Sequence, residues 1–156
     1  MDFLRREAAM KIFAIAAAFL LVAEAAHAQS VRVRNLASPG AFEVVNEGGE
    51  VSLSSRVQVQ GLYKGAWINM GGDVRLVRSC DIPQIPDCIT LHRGERLQPP
   101  PWNGLSCSSQ CLEKCRANSS APPGTFRFVV VSCSGDKSFT GPAFYMEKPR
   151  NPRWGS

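Results

Sequence analysis

From residue 29 onward the chain is predicted to fold as an all-β domain, an antiparallel β-sandwich of immunoglobulin-like size with one long disulfide-pinned loop. Three observations predict it. Apolar residues alternate with polar ones instead of recurring at helical spacing. Turn residues divide these runs at short, fairly even intervals. All six cysteines follow the first 28 residues. About eight or nine short strands without a helical crossover imply antiparallel pairing. A small barrel is the alternative architecture, and no internal repeat is present.

The first 28 residues read as a cleavable signal peptide. Lys11 precedes an unbroken apolar run from Ile12 to Ala23, a length that suits a signal core and is too short to span a bilayer comfortably. Glu24 and then Ala26-His27-Ala28 follow, with small residues where a signal peptidase needs them, so cleavage is expected before Gln29. Met10-Lys11 also reads as a natural start. Arg5-Arg6 hints at twin-arginine export, against which Glu7 follows directly. The nearest cysteine after the cut is Cys80, so a soluble rather than lipid-anchored product is expected, with no transmembrane span after cleavage. The expected organisation is signal peptide 1–28, one domain over 29–148, and a flexible tail over 149–156.

Removing 28 of 156 residues leaves 128, enough for one core and too few for two. The leader's three basic and three acidic residues come off totals of 18 and 13, leaving 15 and 10, still +5. That excess is spread along the chain. It favours weak attraction to anionic surfaces and gives no nucleic-acid site. Lys148, Arg150 and Arg153 with Trp154 in the Pro-rich tail read first as a solvated end, with contact to an envelope surface as the alternative.

The strands follow in order. Val31-Arg32-Val33-Arg34 alternates, then Phe42 to Asn46, the turn Glu47-Gly48-Gly49, Val51-Ser52-Leu53 and Val57-Gln58-Val59-Gln60. Trp67 to Met70, Val74 to Val77, Ile89 to Leu91, Phe126 to Val131 and Ala143 to Met146 complete the series. Trp67, Phe126, Phe128 and Phe144 are expected in the core. The stretch from Gln98 to Ser120 breaks the pattern: it opens on Pro99-Pro100-Pro101 and holds three cysteines in a Ser- and Asn-rich setting, so it is expected to be a long cross-linked connection. Cys111 to Arg116 has the composition of a helical turn or two.

Cys80, Cys88, Cys107, Cys111, Cys115 and Cys133 read first as three disulfides of an exported protein. If Cys107, Cys111 and Cys115 lay on a helix, their thiols would share one face, and each would have to pair with Cys80, Cys88 or Cys133. If that segment is irregular, a local Cys80–Cys88 bridge closing the two-proline loop 81–87 becomes natural, and the Ser- and Asn-rich flanks favour it. A metal reading uses Cys107, Cys111 and Cys115 for Cu(I), or the same thiolates with His92 for zinc. A dithiol oxidoreductase would want CxxC on a thioredoxin-like frame, which is absent.

Phe42 to Asn46 with its tight turn, Leu91-His92-Arg93-Gly94-Glu95, Pro101-Trp102 and Pro123-Gly124-Thr125-Phe126-Arg127-Phe128 together resemble bacterial secreted immunoglobulin-like sandwiches of the proteinase-inhibitor-like kind. There a "leucine, any residue, Pro-Gly-Glu" turn and a late "Pro-Gly, aromatic" entry recur. The likeness covers about a quarter of the mature chain. Arg93 stands where proline is expected, and all six cysteines are additions. The resemblance implies the fold and, by analogy, inhibition of an extracellular protease.

Catalysis is not expected. A hydrolase would need His92 with Ser106 or Ser108 and Asp73 or Asp87, but no nucleophile-elbow pattern surrounds any serine. Gly48-Gly49 and Gly71-Gly72 lack the lysine and helix of a phosphate cradle. Asn118-Ser119-Ser120 is a glycosylation sequon. Trp102, presented by Pro-Pro-Pro beside the cysteine-rich loop, reads first as folding back onto the sandwich edge, and the candidate partner surface is Pro99 to Ser120 with Trp102 as its anchor. The expected function is a non-catalytic binding or structural module without cofactor, meeting an extracytoplasmic protein or envelope component. Periplasmic copper, zinc or thiol handling and protease inhibition are the alternatives.

Overall fold

The computed structural model describes residues 30–71, 74–77, 85–107 and 117–147. The signal peptide and the tail expected from the sequence lie outside the described residues. The described chain is all-β, without a helix. Its strands are β1 (Val31–Asn35), β2 (Phe42–Asn46), β3 (Val51–Ser54), β4 (Arg56–Tyr63), β5 (Ala66–Asn69), β6 (Val74–Arg75), β7 (Cys88–Leu91), β8 (Arg96–Leu97), β9 (Leu105–Cys107), β10 (Ala117–Ser120), β11 (Gly124–Val131), β12 (Ser138–Thr140) and β13 (Phe144–Met146).

Every pairing is antiparallel. One sheet runs β1-β2-β8, and the largest runs β12-β11-β4-β5. In that sheet β11 takes β12 and β13 on successive stretches of one edge, and β4 takes β6 and β5 likewise. β3 pairs with β7 and is tied to the end of β11 through Leu53 and Ser132.

Alternation decides which residues meet. Along β4, Val57, Val59 and Gly61 are buried, while Arg56 and Gln58 are exposed. Phe126 and Phe128 are buried on β11 opposite Gly61 and Val59, and Val130 is buried beyond them. Phe42 of β2 stacks on Phe128 at 4.1 Å between ring centroids, and this contact joins the two larger sheets across the core. Phe128 stacks in turn on Phe144 at 4.9 Å. Burying the fully enclosed Phe42 and Phe128 rings contributes about 1.5–3 kcal/mol each.

Two expectations are corrected. The stretch from Gln98 to Ser120 is not simply a loop, because β9 and β10 within it pair antiparallel, Cys107 opposite Ala117. Cys107 therefore starts no helix. Trp67 is not in the core: it lies opposite Leu62, past Gly61, which is the last inward-facing buried residue of β4. The helical turns expected over 111–116 fall outside the described residues.

Candidate functional site

Asn46 shows why the turn residues singled out in the sequence belong together. It ends β2 fully buried, and its side-chain amide donates to the carbonyls of Leu91 (2.9 Å) and Gly49 (2.7 Å) while its Oδ1 accepts from the amide of Gly48. Its backbone carbonyl accepts from Gly94, and its N–H donates to Glu95. One residue thus locks the β2–β3 turn to the β7–β8 turn, satisfying groups that would otherwise be costly to bury. In the second turn Gly94 has φ +82°, and the amide of Glu95 donates to His92, the pattern of a type II turn with Arg93 at its second position. Glu95 closes the turn by accepting from the His92 amide at 2.7 Å. These contacts hold the two turns to the fold.

His92, on which the zinc and hydrolase readings both depended, is exposed at this turn with Nδ1 3.1 Å from Glu50. Among the described residues no group of three His, Cys, Asp or Glu is placed to hold a metal ion. Cys80, Cys111, Cys115, Ser108 and Asp73 lie outside the described residues, and of Cys107 and Ser106 only the backbone on β9 is described.

Cys88 pairs with Cys133, which overturns the local Cys80–Cys88 bridge. The reason is β3. Ser54 faces Cys88 on one side, and the Ser52 carbonyl accepts from the Cys133 amide, so a single strand brings the two Cα atoms to 5.7 Å, within disulfide range. The helical pairing scheme falls too, since it needed Cys88 and Cys133 for different partners. If the remaining four cysteines are all bridged, at least one bridge joins two of Cys107, Cys111 and Cys115.

Trp102 is 6% exposed: it folds back as its first reading expected, and its candidacy as a surface anchor is corrected. Its ring meets Phe126, Phe128 and Phe144 edge-on at 5.0, 6.4 and 6.4 Å, and its amide donates to Gly40 at 2.8 Å. The polyproline approach delivers the indole into the core instead of into solvent.

The exposed apolar surface lies elsewhere. Among the described residues four large hydrophobic side chains are exposed, and three belong to the β4–β5 hairpin: Leu62 (45%), Tyr63 (59%) and Ile68 (44%), with Tyr145 of β13 the fourth. Lys64 and Gly65 both have positive φ, 47° and 82°, which gives the two-residue turn whose twist matches a hairpin. Leu62 and Trp67 are cross-strand partners on the outer face, while alternation puts Tyr63 and Ile68 on the other. Arg127 reaches over the Trp67 ring at 4.2 Å and donates to Gln60 at 2.8 Å. Lys64 lies over Tyr63 at 5.4 Å. Sequence reasoning places strands on both sides of this hairpin but misses its exposed tip, because its alternation looks like that of a half-buried strand. The signal it does carry is Lys64-Gly65 between two aromatic residues.

Among the described residues no helix is long and apolar enough to cross a membrane. No protein-family model matches the chain, and no curated protein is significantly similar to it.

Proposed function

We propose that the chain is an exported, non-catalytic binding module, an immunoglobulin-like β-sandwich stapled by disulfides, which engages an extracytoplasmic protein or envelope component through the β4–β5 hairpin. The observation that carries this reading is the gathering of Leu62, Tyr63 and Ile68 on one projecting hairpin, beside Trp67. Exposed hydrophobics scattered singly need no explanation, whereas three within the seven residues of one hairpin tip, covering both of its faces, mark a candidate contact surface. Tyr, Trp and Arg together are also the side chains that dominate binding energy at interfaces.

The sandwich is supported by the stacking of β2 on β11 through Phe42 and Phe128 and by the locked turns at Asn46 and Gly94. Export is supported by the leader and by the Cys88–Cys133 bridge, which is compatible with an oxidising compartment.

The test is retention of the exported protein on isolated envelope and extracellular fractions, wild type against the double variant Leu62→Ser, Ile68→Ser. Because both side chains are exposed, the melting temperature should stay nearly constant. Retention per folded molecule should fall about tenfold or more, the scale of losing two apolar contacts. Equal retention would place the contact elsewhere.

A further inference from the structure

We infer that the β4–β5 hairpin seats the domain on an anionic lipid surface, with the tip from Leu62 to Ile68 entering the headgroup layer. This rests on the hairpin being the binding element and names what it binds.

The argument starts from the two faces of the hairpin. Leu62 and Trp67 lie on one face, Tyr63 and Ile68 on the other, and Leu62, Tyr63 and Ile68 are all substantially exposed. A flat partner covers one face of a hairpin and leaves the other wet. A second copy pairing along the β5 edge would use backbone groups and leave both faces open. A medium that surrounds the tip covers both faces at once, and a bilayer interface is such a medium.

The side chains also have the chemistry of that layer. Tyrosine and tryptophan favour the headgroup level, where an apolar ring and a polar edge are both satisfied. Leu62 and Ile68 supply apolar area at the acyl boundary. Lys64 occupies the turn itself, with a long apolar stem and an ammonium suited to lipid phosphate. Arg127, held over Trp67, adds a second cation on the outer face.

Charge selects the lipid. None of β4, β5, β6, β11, β12 and β13 contains Asp or Glu, while Arg56, Arg75 and Arg127 lie on them. Among the described residues the only strand-borne carboxylate is Glu43 on β2, in the other sheet, where it faces Arg34. The strands of the hairpin's own sheet therefore carry cations and no carboxylate, and the described acidic residues of that sheet are confined to a turn and a strand end, Asp136 after β11 and Glu147 after β13. A polysaccharide is the weaker match, because a sugar stacking on Trp67 would have to displace Arg127.

Co-sedimentation with vesicles tests this. The exported protein, its apolar leader shown by mass to be removed, is mixed with phosphatidylglycerol–phosphatidylcholine vesicles and with phosphatidylcholine vesicles alone. Binding is expected to the anionic vesicles, weaker to the neutral ones, and to fall with added salt. The Leu62→Ser, Ile68→Ser variant should lose about tenfold or more in affinity, and Lys64→Gln roughly fivefold, each with an unchanged melting temperature. Vesicle binding that the variants leave intact would overturn the inference. So would no vesicle binding, or hairpin-dependent binding to an acidic polysaccharide or to a second copy. If vesicle binding is absent but the hairpin variant still loses envelope retention, the lipid assignment fails while the hairpin reading stands. If neither depends on the hairpin, both fail.

Discussion

The carboxylate of Asp136, in the turn between β11 and β12, accepts hydrogen bonds from the hydroxyls of Ser132 and Ser134, while the Ser132 hydroxyl also accepts from the Lys137 amide. The bond from Ser132, then that from Ser134, holds the carboxyl below its ordinary range. A depressed folded-state value gives stability that is present above the unfolded value, near ~3.9, and lost as pH falls through the lowered one. The Asp136 carboxyl resonance should therefore titrate below ~3.9, and Ser132→Ala should raise its midpoint; a midpoint at or above the ordinary value would contradict this. At the same scale, the fate of Trp102 was not legible in the sequence. Pro99-Pro100-Pro101 fixes a stiff approach but not its direction, and only the Phe126, Phe128 and Phe144 rings, distant in sequence, decide that the indole turns inward.

Elements differ in how plainly they announce themselves. β4 was legible because one buried face and one wet face impose alternation from Arg56 to Gly61, while β2 and β11 open on an alternating Phe-polar pattern and then stay buried on both faces through Val44-Val45 and Phe128-Val129-Val130. β8 has two residues, too few to show a period, and β9 and β10 are rich in serine and asparagine, so they pair without an apolar pattern to mark them. The β7–β8 turn was read correctly as a turn, and its geometry explains the proline that the resemblance expects at Arg93. The second position of a type II turn wants φ near −60°, which proline supplies in advance. Arg93→Pro should accordingly stabilise the domain by about 0.4–1 kcal/mol, by restricting the unfolded chain. Thermal unfolding checks it, and a lowered melting temperature would show that the turn is of another kind. The β4–β5 hairpin was half legible: its strands follow from pattern, but exposure depends on where the core stops, and Gly61 marks that limit only once β11 is in place.

For the whole molecule, the disulfide at Cys88 and Cys133 spans 45 residues and links the β3–β7 ladder to the end of β11. By the chain-entropy argument a closure of that length is worth about 4 kcal/mol, a large share of the ~5–15 kcal/mol a domain possesses. Cys88→Ala with Cys133→Ala should lower urea-unfolding stability by roughly that amount, and expression in a reducing compartment should yield poorly folded protein. Unchanged stability would mean that the bridge merely decorates a core already sufficient. This pairing could not be read from cysteine spacing, because it depends on one strand, β3, holding two distant segments. The central claim is that the domain works through its projecting hairpin and not through the buried indole. Hydroxyl-radical footprinting of the exported protein, with and without envelope membranes, tests it most directly. Oxidation of Tyr63 and Trp67 should fall when membranes are added, while Trp102 stays unreactive throughout; equal oxidation of Tyr63 and Trp67 in both conditions would contradict the account.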